Sequence, residues 1–229
     1  MTPDPRTASE LISSPRERRE RMRSEMVSAI LEAARGVMRE RGVAGLSLRE
    51  VARRVQLQAS SLYEYFPNKA SLYDALFLTG IRRYQAYKDH AAAQEFHSFW
   101  DCVAAWLTTY MQFAQEHPEL YQLAFERPVP GFTPSEESMA ESKRMLDDFE
   151  QLLHEAVHEG WIRRDVSVGH ARDLLIAMMH GLTSQHMANE PALSVGSGRF
   201  GSLIPEAVDL FRTAWEPRPP TEGGIGATA

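Results

Sequence analysis

Apolar residues recur along most of this chain at three- and four-residue steps, which predicts a succession of helices, and no segment reads as a strand. A long first helix is predicted over 15–41, with Met26, Val27, Ile30, Leu31, Ala34, Val37 and Met38 on its stripe and Gly42 as its stop. Leu48, Val51, Ala52 and Val55 form a second, short stripe. Ser47 stands before it and Glu50 lies three residues on, the pattern of a capping box. A break at 56–58 precedes a third short helix over 59–65, which Phe66-Pro67 ends. Asn68 then caps a fourth helix over 69–91, carrying Leu72, Leu76, Ile81 and Tyr84.

Beyond Ala91 the apolar positions widen. A helix over 94–116 carries Phe96, Trp100, Val103, Trp106, Leu107, Tyr110 and Phe113, more than one stripe, so burial on several sides is expected. A short helix over 118–125 leads into a loop with Pro128, Pro130 and Pro134. Thr133 as cap, Pro134 at the first position and Glu136 predict the next start, and Gly160 its stop. Helices over 167–189 and 203–215 follow, separated by a loop at 190–201. Residues 1–14 read as a mobile polar arm and 216–229 as a disordered tail.

Composition narrows the class. With 229 residues, 43% hydrophobic and 24% charged, the chain has the make-up of a globular protein. No apolar run approaches the roughly 18–20 residues that a membrane span requires, so no membrane partner is expected. The first residues lack a signal-peptide core, and the single cysteine, Cys102, excludes an internal disulfide; both lead to the expectation of a cytoplasmic protein. The net charge of −6 is unevenly spread. Residues 1–70 hold 13 Lys/Arg against 9 Asp/Glu, a net +4, and the remainder is −10. Arg16, Arg18, Arg19, Arg21 and Arg23 crowd one segment, and such charge seeks phosphate.

Two short helices joined by a tight turn, beside that cationic segment, are the outline of a helix-turn-helix reader of DNA. Leu62 and Phe66, four apart, are expected to pack inward with Val51 and Val55. Gln58, Ala59, Ser60 and Ser61 open the third helix, the part that reaches base edges. Tyr63 and Tyr65 offer hydroxyls to phosphate oxygens. Ser47 and Arg49 at one helix start, and Lys69 at another, stand where backbone N–H groups favour phosphate.

Residues 24–76 resemble the DNA-binding domain of TetR-type bacterial transcription regulators. The resemblance is carried by Gly42 and Gly45 before Leu46-Ser47-Leu48, by Val51-Ala52-Arg53-Arg54-Val55, and above all by Ser60-Ser61-Leu62-Tyr63-Glu64-Tyr65-Phe66-Pro67-Asn68-Lys69. Two positions depart from the family pattern: Gln56 stands where a turn glycine is usual, and Gln58 where a Ser or Thr cap is usual. The resemblance implies an all-α fold, with a three-helix DNA-binding domain over 15–68 and a helical effector-binding and dimerisation domain over 69–215. It also implies phosphate contact at Tyr63, a homodimer on a pseudo-palindromic DNA operator, and a small-molecule effector, apolar or aromatic, that releases a repressor. No enzyme activity, cofactor or metal is implied.

Within the second domain, Trp100, Trp106, Tyr110, Phe125, Phe149, Met178 and His180 are the candidate pocket residues, since flat aromatics and adaptable methionine suit such a ligand. Leu174, Met178, Gly181, Leu182, Phe211 and Trp215 are the candidate dimer interface, read from apolar stripes on the last two long helices. One motif points elsewhere. His154-Glu155-Ala156-Val157-His158 matches H-E-x-x-H, whose histidines share a helix face and can hold zinc for a hydrolase. Charged Glu159, Trp161 in place of a glycine, and the lack of a well-placed third ligand weigh against it. The plainer reading puts Leu152, Leu153, Ala156 and Val157 in the core and both histidines near the surface.

Overall fold

The computed structural model describes residues 14–217, which are helical without a strand. The rest of the expected arm and tail lies outside the described residues. Ser14, expected at the end of the arm, is instead the cap of the first helix, α1 (Pro15–Arg41): its hydroxyl accepts from Glu17 N–H and Glu17 answers at Ser14 N–H. Gly42 ends α1 at φ 75°, a conformation that favours a residue without a Cβ. Then come α2 (Leu48–Arg54), α3 (Ala59–Leu62) and the connecting helix α4 (Lys69–Ala92), whose cap Asn68 accepts from Ser71 N–H at 2.8 Å.

The larger part of the chain is α5 (Phe99–Glu116), α6 (Pro118–Tyr121) continued by a π-turn at Gln122–Glu126, α7 (Glu136–His158), α8 (Val168–Asn189), α9 (Gly198–Gly201) and α10 (Ile204–Trp215). Two starts differ from the sequence expectation. Ser98, not Gln94, opens α5, because its hydroxyl accepts from Asp101 N–H. Ser135, not Thr133, caps α7. Asp74 on α4 takes both the Ser135 N–H (2.7 Å) and its hydroxyl (2.8 Å), which pins the chain two residues later.

Two apolar clusters hold the fold. The first joins Ile30, Ala34, Val37 and Met38 of α1 with Val51, Leu62 and Phe66, then runs on through Leu72, Leu76, Tyr84, Phe113, Leu120 and Tyr121. The reader's core therefore continues past residue 68 into α4, α5 and α6. A Cβ added at Gly80 would meet the Leu120 carbonyl oxygen at 3.4 Å, which measures how closely α4 and α6 approach. The second cluster packs Trp100, Val103 and Leu107 of α5 against Leu153, Ala171, Leu175, Phe211 and Trp215. Each fully buried Val, Leu, Ile, Phe or Met side chain among them contributes about 1.5–3 kcal/mol.

Candidate nucleic-acid interface

The reader begins at Ser47, whose hydroxyl accepts from Glu50 N–H at 3.4 Å. The expected capping box is only half made. Glu50 turns its carboxylate to Arg53 (2.7 Å) and Arg54 (3.0 Å) instead, because two guanidiniums outbid one backbone N–H. Those two arginines pull the Glu50 carboxyl down to about 2. Arg54 also reaches Glu40 on α1 at 3.0 Å, so α2 is fastened to α1 by charge as well as by Val51 and Ala52. The turn passes through Gln56 at φ 57°, a left-handed conformation in which glycine is the usual residue. The turn geometry survives the substitution.

Helix α3 is shorter than the sequence predicts. Its α-helical part ends at Leu62, and Tyr63, Glu64 and Tyr65 continue as tight turns bonded to the carbonyls of Ser60, Ser61 and Leu62. Leu62 and Phe66 are buried as expected. On the opposite side Gln58, Ala59 and Ser60 are exposed, and Tyr63 is 51% exposed. The Gln58 side chain makes no cap hydrogen bond, which leaves its amide available. Arg49 is exposed on the start of α2. Gln58, Ser60, Tyr63 and Arg49 thus present exposed amide, hydroxyl, phenol and guanidinium groups, the chemistry that positions on phosphate and reads base edges.

The other predicted contacts are placed differently. Ser47 is half-buried with its hydroxyl in the cap, and Ser61 is half-buried. Tyr65 is half-buried beneath the Arg23 guanidinium, 5.1 Å from its ring centroid. Lys69 is half-buried too: its Nζ donates to the Ala44 carbonyl (3.4 Å) and lies 5.3 Å from the Tyr73 ring centre. Its charge serves the reader's own fold first. Arg23 was missed as a structural residue; it also donates to the Glu64 carbonyl at 3.2 Å. The arginine run around it was its only sequence signal.

The predicted pocket residues separate into two groups. Tyr110 and Tyr121 place their hydroxyls 3.2 and 3.3 Å from His180 Nδ1, with Phe125 and Tyr84 edge-on to Tyr110. Burial pushes the Tyr84, Tyr110 and Tyr121 phenols well above their ordinary values. Trp106 instead packs against Phe149 at 4.9 Å, and Trp100 beside Phe99, with Met178 in the second cluster. The single expected pocket is thus corrected to two packed aromatic groups. The division arises because α6 and α8 cover Tyr110 whereas α7 covers Trp106. Two open clefts lie outside the Tyr110 group. One, of about 310 Å³, is lined by Phe96, Phe99, Cys102, Trp106, Glu155 and Trp161; the other, of about 380 Å³, by Tyr87, His90, Gln94, Thr109 and Gln112. Of the predicted pocket residues, only Trp106 lines either cleft.

The H-E-x-x-H reading gains no support from the structure. His154 and His158 are exposed, and no group of His, Cys, Asp and Glu that could hold a metal ion occurs among the described residues. Leu153 and Ala156 are core as the plainer reading has it, but Leu152 is 39% exposed. The candidate dimer residues are also redistributed. Phe211 and Trp215 are 8% exposed and pack on each other at 4.7 Å inside their own protomer, a correction. Leu182 and Met178 are half-buried. Leu174 (54% exposed), Gly181 and Leu210 (64% exposed), which lies on the same C-terminal apolar stripe as Phe211 and Trp215, stay open on α8 and α10. No helix among the described residues is long and apolar enough to cross a membrane.

Comparison with known proteins agrees with this geometry. Residues 30–76 match the model of bacterial regulatory proteins of the tetR family, and residues 103–198 match a tetracyclin repressor-like C-terminal domain. An HTH-type transcriptional regulator of Mycobacterium bovis is 26% identical over 143 residues, 62% of this chain; the match spans 61% of that relative's length. A protein of unknown function from Rhodococcus shares the fold at TM-score 0.71 and 22% identity, over 83% of this chain and 95% of that one. So does the regulator FadR of Bacillus subtilis, solved in complex with stearoyl-CoA, at TM-score 0.64 and 16% identity, over 81% and 97%.

Proposed function

The chain belongs to the TetR family of bacterial transcriptional regulators, and from that premise we propose that it is a homodimeric repressor acting in the cytoplasm on a pseudo-palindromic operator. The observation that supports this most is the two-sided third helix. Leu62 and Phe66 anchor it in the core while Gln58, Ala59, Ser60 and Tyr63 are exposed, as is Arg49 at the start of α2. A two-fold dimer sets two such faces one duplex turn, or a multiple, apart. Leu174 and Gly181 on α8 and Leu210 on α10 are the exposed face suited to that pairing.

In this reading Arg49, Tyr63 and Ser47 hold phosphates, and Gln58, Ala59, Ser60 and Ser61 face the major groove. Tyr65 and Lys69 act mainly by bracing the reader. An apolar or aromatic effector enters among α4 to α8 and favours a state with the readers wrongly spaced, so operator affinity falls by its differential affinity for the two states. A footprint across the protein's own upstream region tests the reading. A protected, near-symmetric site whose occupancy drops steeply with salt is expected; no protection at low salt would sink it.

A further inference from the structure

A polar cluster with Arg35 and Glu119 buried at its centre joins the reader to the rest of the chain where α1, α4, α5 and α6 meet. Arg35 on α1 is 6% exposed. Its Nε donates to Glu119 Oε1 at 2.8 Å and its Nη1 to Glu32 at 2.7 Å, while Nη2 lies 3.2 Å from His117 Nδ1. Arg39, one turn on, donates to the same Glu119 oxygen at 3.0 Å. A guanidinium only donates, so His117 Nδ1 must be the acceptor and the ring hydrogen sits on Nε2. That Nε2 lies 3.2 Å from the Tyr87 hydroxyl on α4, whose own hydrogen goes to Glu116 on α5. One neutral imidazole, in one tautomer, thus links the reader's first helix to the connecting helix.

We propose that His117 is the positioning residue that seats the reader, and that a proton on Nδ1 unseats it, so reader order and operator affinity depend on pH through this ring. A proton there would face an Arg35 N–H, replacing a hydrogen bond with two cations in contact. The groups facing the ring are Arg35 from α1, Arg83 and Tyr87 from α4, Glu116 from α5 and Glu119 from α6. Burial, then Arg83 and Arg35, hold the imidazole below its usual 6.5, against the opposite pull of Glu119 and Glu116. The sign follows: a depressed imidazole contributes its seat fully above 6.5, and the contribution is lost as pH falls from there through the ring's own lower value.

Only the operator half of this rests on the regulator reading; the seat itself rests on the joint. The test is hydrogen–deuterium exchange on the free full-length protein at about pH 7.5 and about pH 5.5, corrected for intrinsic rates. The wild type is compared with His117→Gln, whose amide can accept from Arg35 and donate to Tyr87 at either pH. Wild-type protection over residues 47–66 should drop about tenfold at the lower pH, while His117→Gln holds its protection. An equal drop in both proteins overturns the proposal, as does no drop in the wild type. His117→Lys, which keeps a cation in place at both values, should be unprotected at both; if it is folded by circular dichroism yet fully protected, the proposal also fails. Fluorescence anisotropy on the footprinted site should show the same split between wild type and His117→Gln. If no DNA binds at any pH, the regulator reading falls while the exchange result still decides the joint.

Discussion

Arg35 and Glu119, 84 residues apart in sequence, meet at 2.8 Å with 7% and 1% of their side chains exposed, and this pair fastens the reader's first helix to α6. Glu119 Oε1 also takes Arg39, while its Oε2 is buried with no partner among the described residues. One oxygen therefore carries both contacts to α1.

Removing that carboxylate leaves Arg35 buried with only Glu32 to balance it. Breaking a buried pair in this way costs about 3–5 kcal/mol, and Glu32 keeps the loss toward about 3. Glu119→Ala should lower urea-denaturation stability by that amount. A change below about 1 kcal/mol would mean the pair contributes little.

Gln56 is held at φ 57°, where a Cβ crowds the following carbonyl by roughly 1–2 kcal/mol. Gln56→Gly should therefore leave stability unchanged or raise it by up to about 1 kcal/mol, since glycine's added chain entropy offsets part of the relief. Gln56→Val should lower it by more than about 1 kcal/mol. Thermal melts of both variants, read against each other, check the sign.

Burial pushes the Cys102 thiol up to about 11 from an ordinary 9.0. The thiolate is the reactive form, so alkylation at about pH 8 should run about 100-fold slower than for an exposed thiol, before any hindrance by the cleft wall. Timed iodoacetamide labelling followed by mass spectrometry measures it. Labelling as fast as that of free glutathione would contradict the burial.

Tyr63→Phe removes one exposed hydroxyl and nothing from the core. Operator affinity should fall about fivefold, and equally across operator variants, because a phosphate contact carries no base information. Loss confined to one base position would reassign Tyr63 to base reading. Leu62→Ala, by contrast, should unfold the reader first, with a loss of about 2–5 kcal/mol.

Leu174 and Leu210 are exposed, so a charge there meets no core. Leu174→Glu with Leu210→Glu should convert a dimer to a monomer in sedimentation velocity while the helical signal stays intact. A dimer that survives both changes would move the interface elsewhere.

Local order was largely legible from residues within about four positions of one another, which is the range of helical periodicity and capping. The spans of α1, α4 and α8, the Asn68 cap, the inward Leu62 and Phe66 and the helix-turn-helix motif all follow from such neighbours. What failed had a competitor from another element. Thr133 lost the α7 cap to Ser135 because Asp74 sits opposite, and Lys69 was drawn to Ala44 and Tyr73. Trp106 and Tyr110, four apart on one helix, belong to different aromatic groups because different helices cover them. The arginine run announced a cationic first helix, yet nothing in it distinguished Arg23, which braces Tyr65, and nothing near Arg35 marked that later arginine as buried. Helix identity and family were thus determined by the chain alone, and caps only where no distant group competed for them. Which polar groups are sealed in pairs and which stand free was decided only when distant helices met, since desolvation depends on what covers a group rather than on what flanks it.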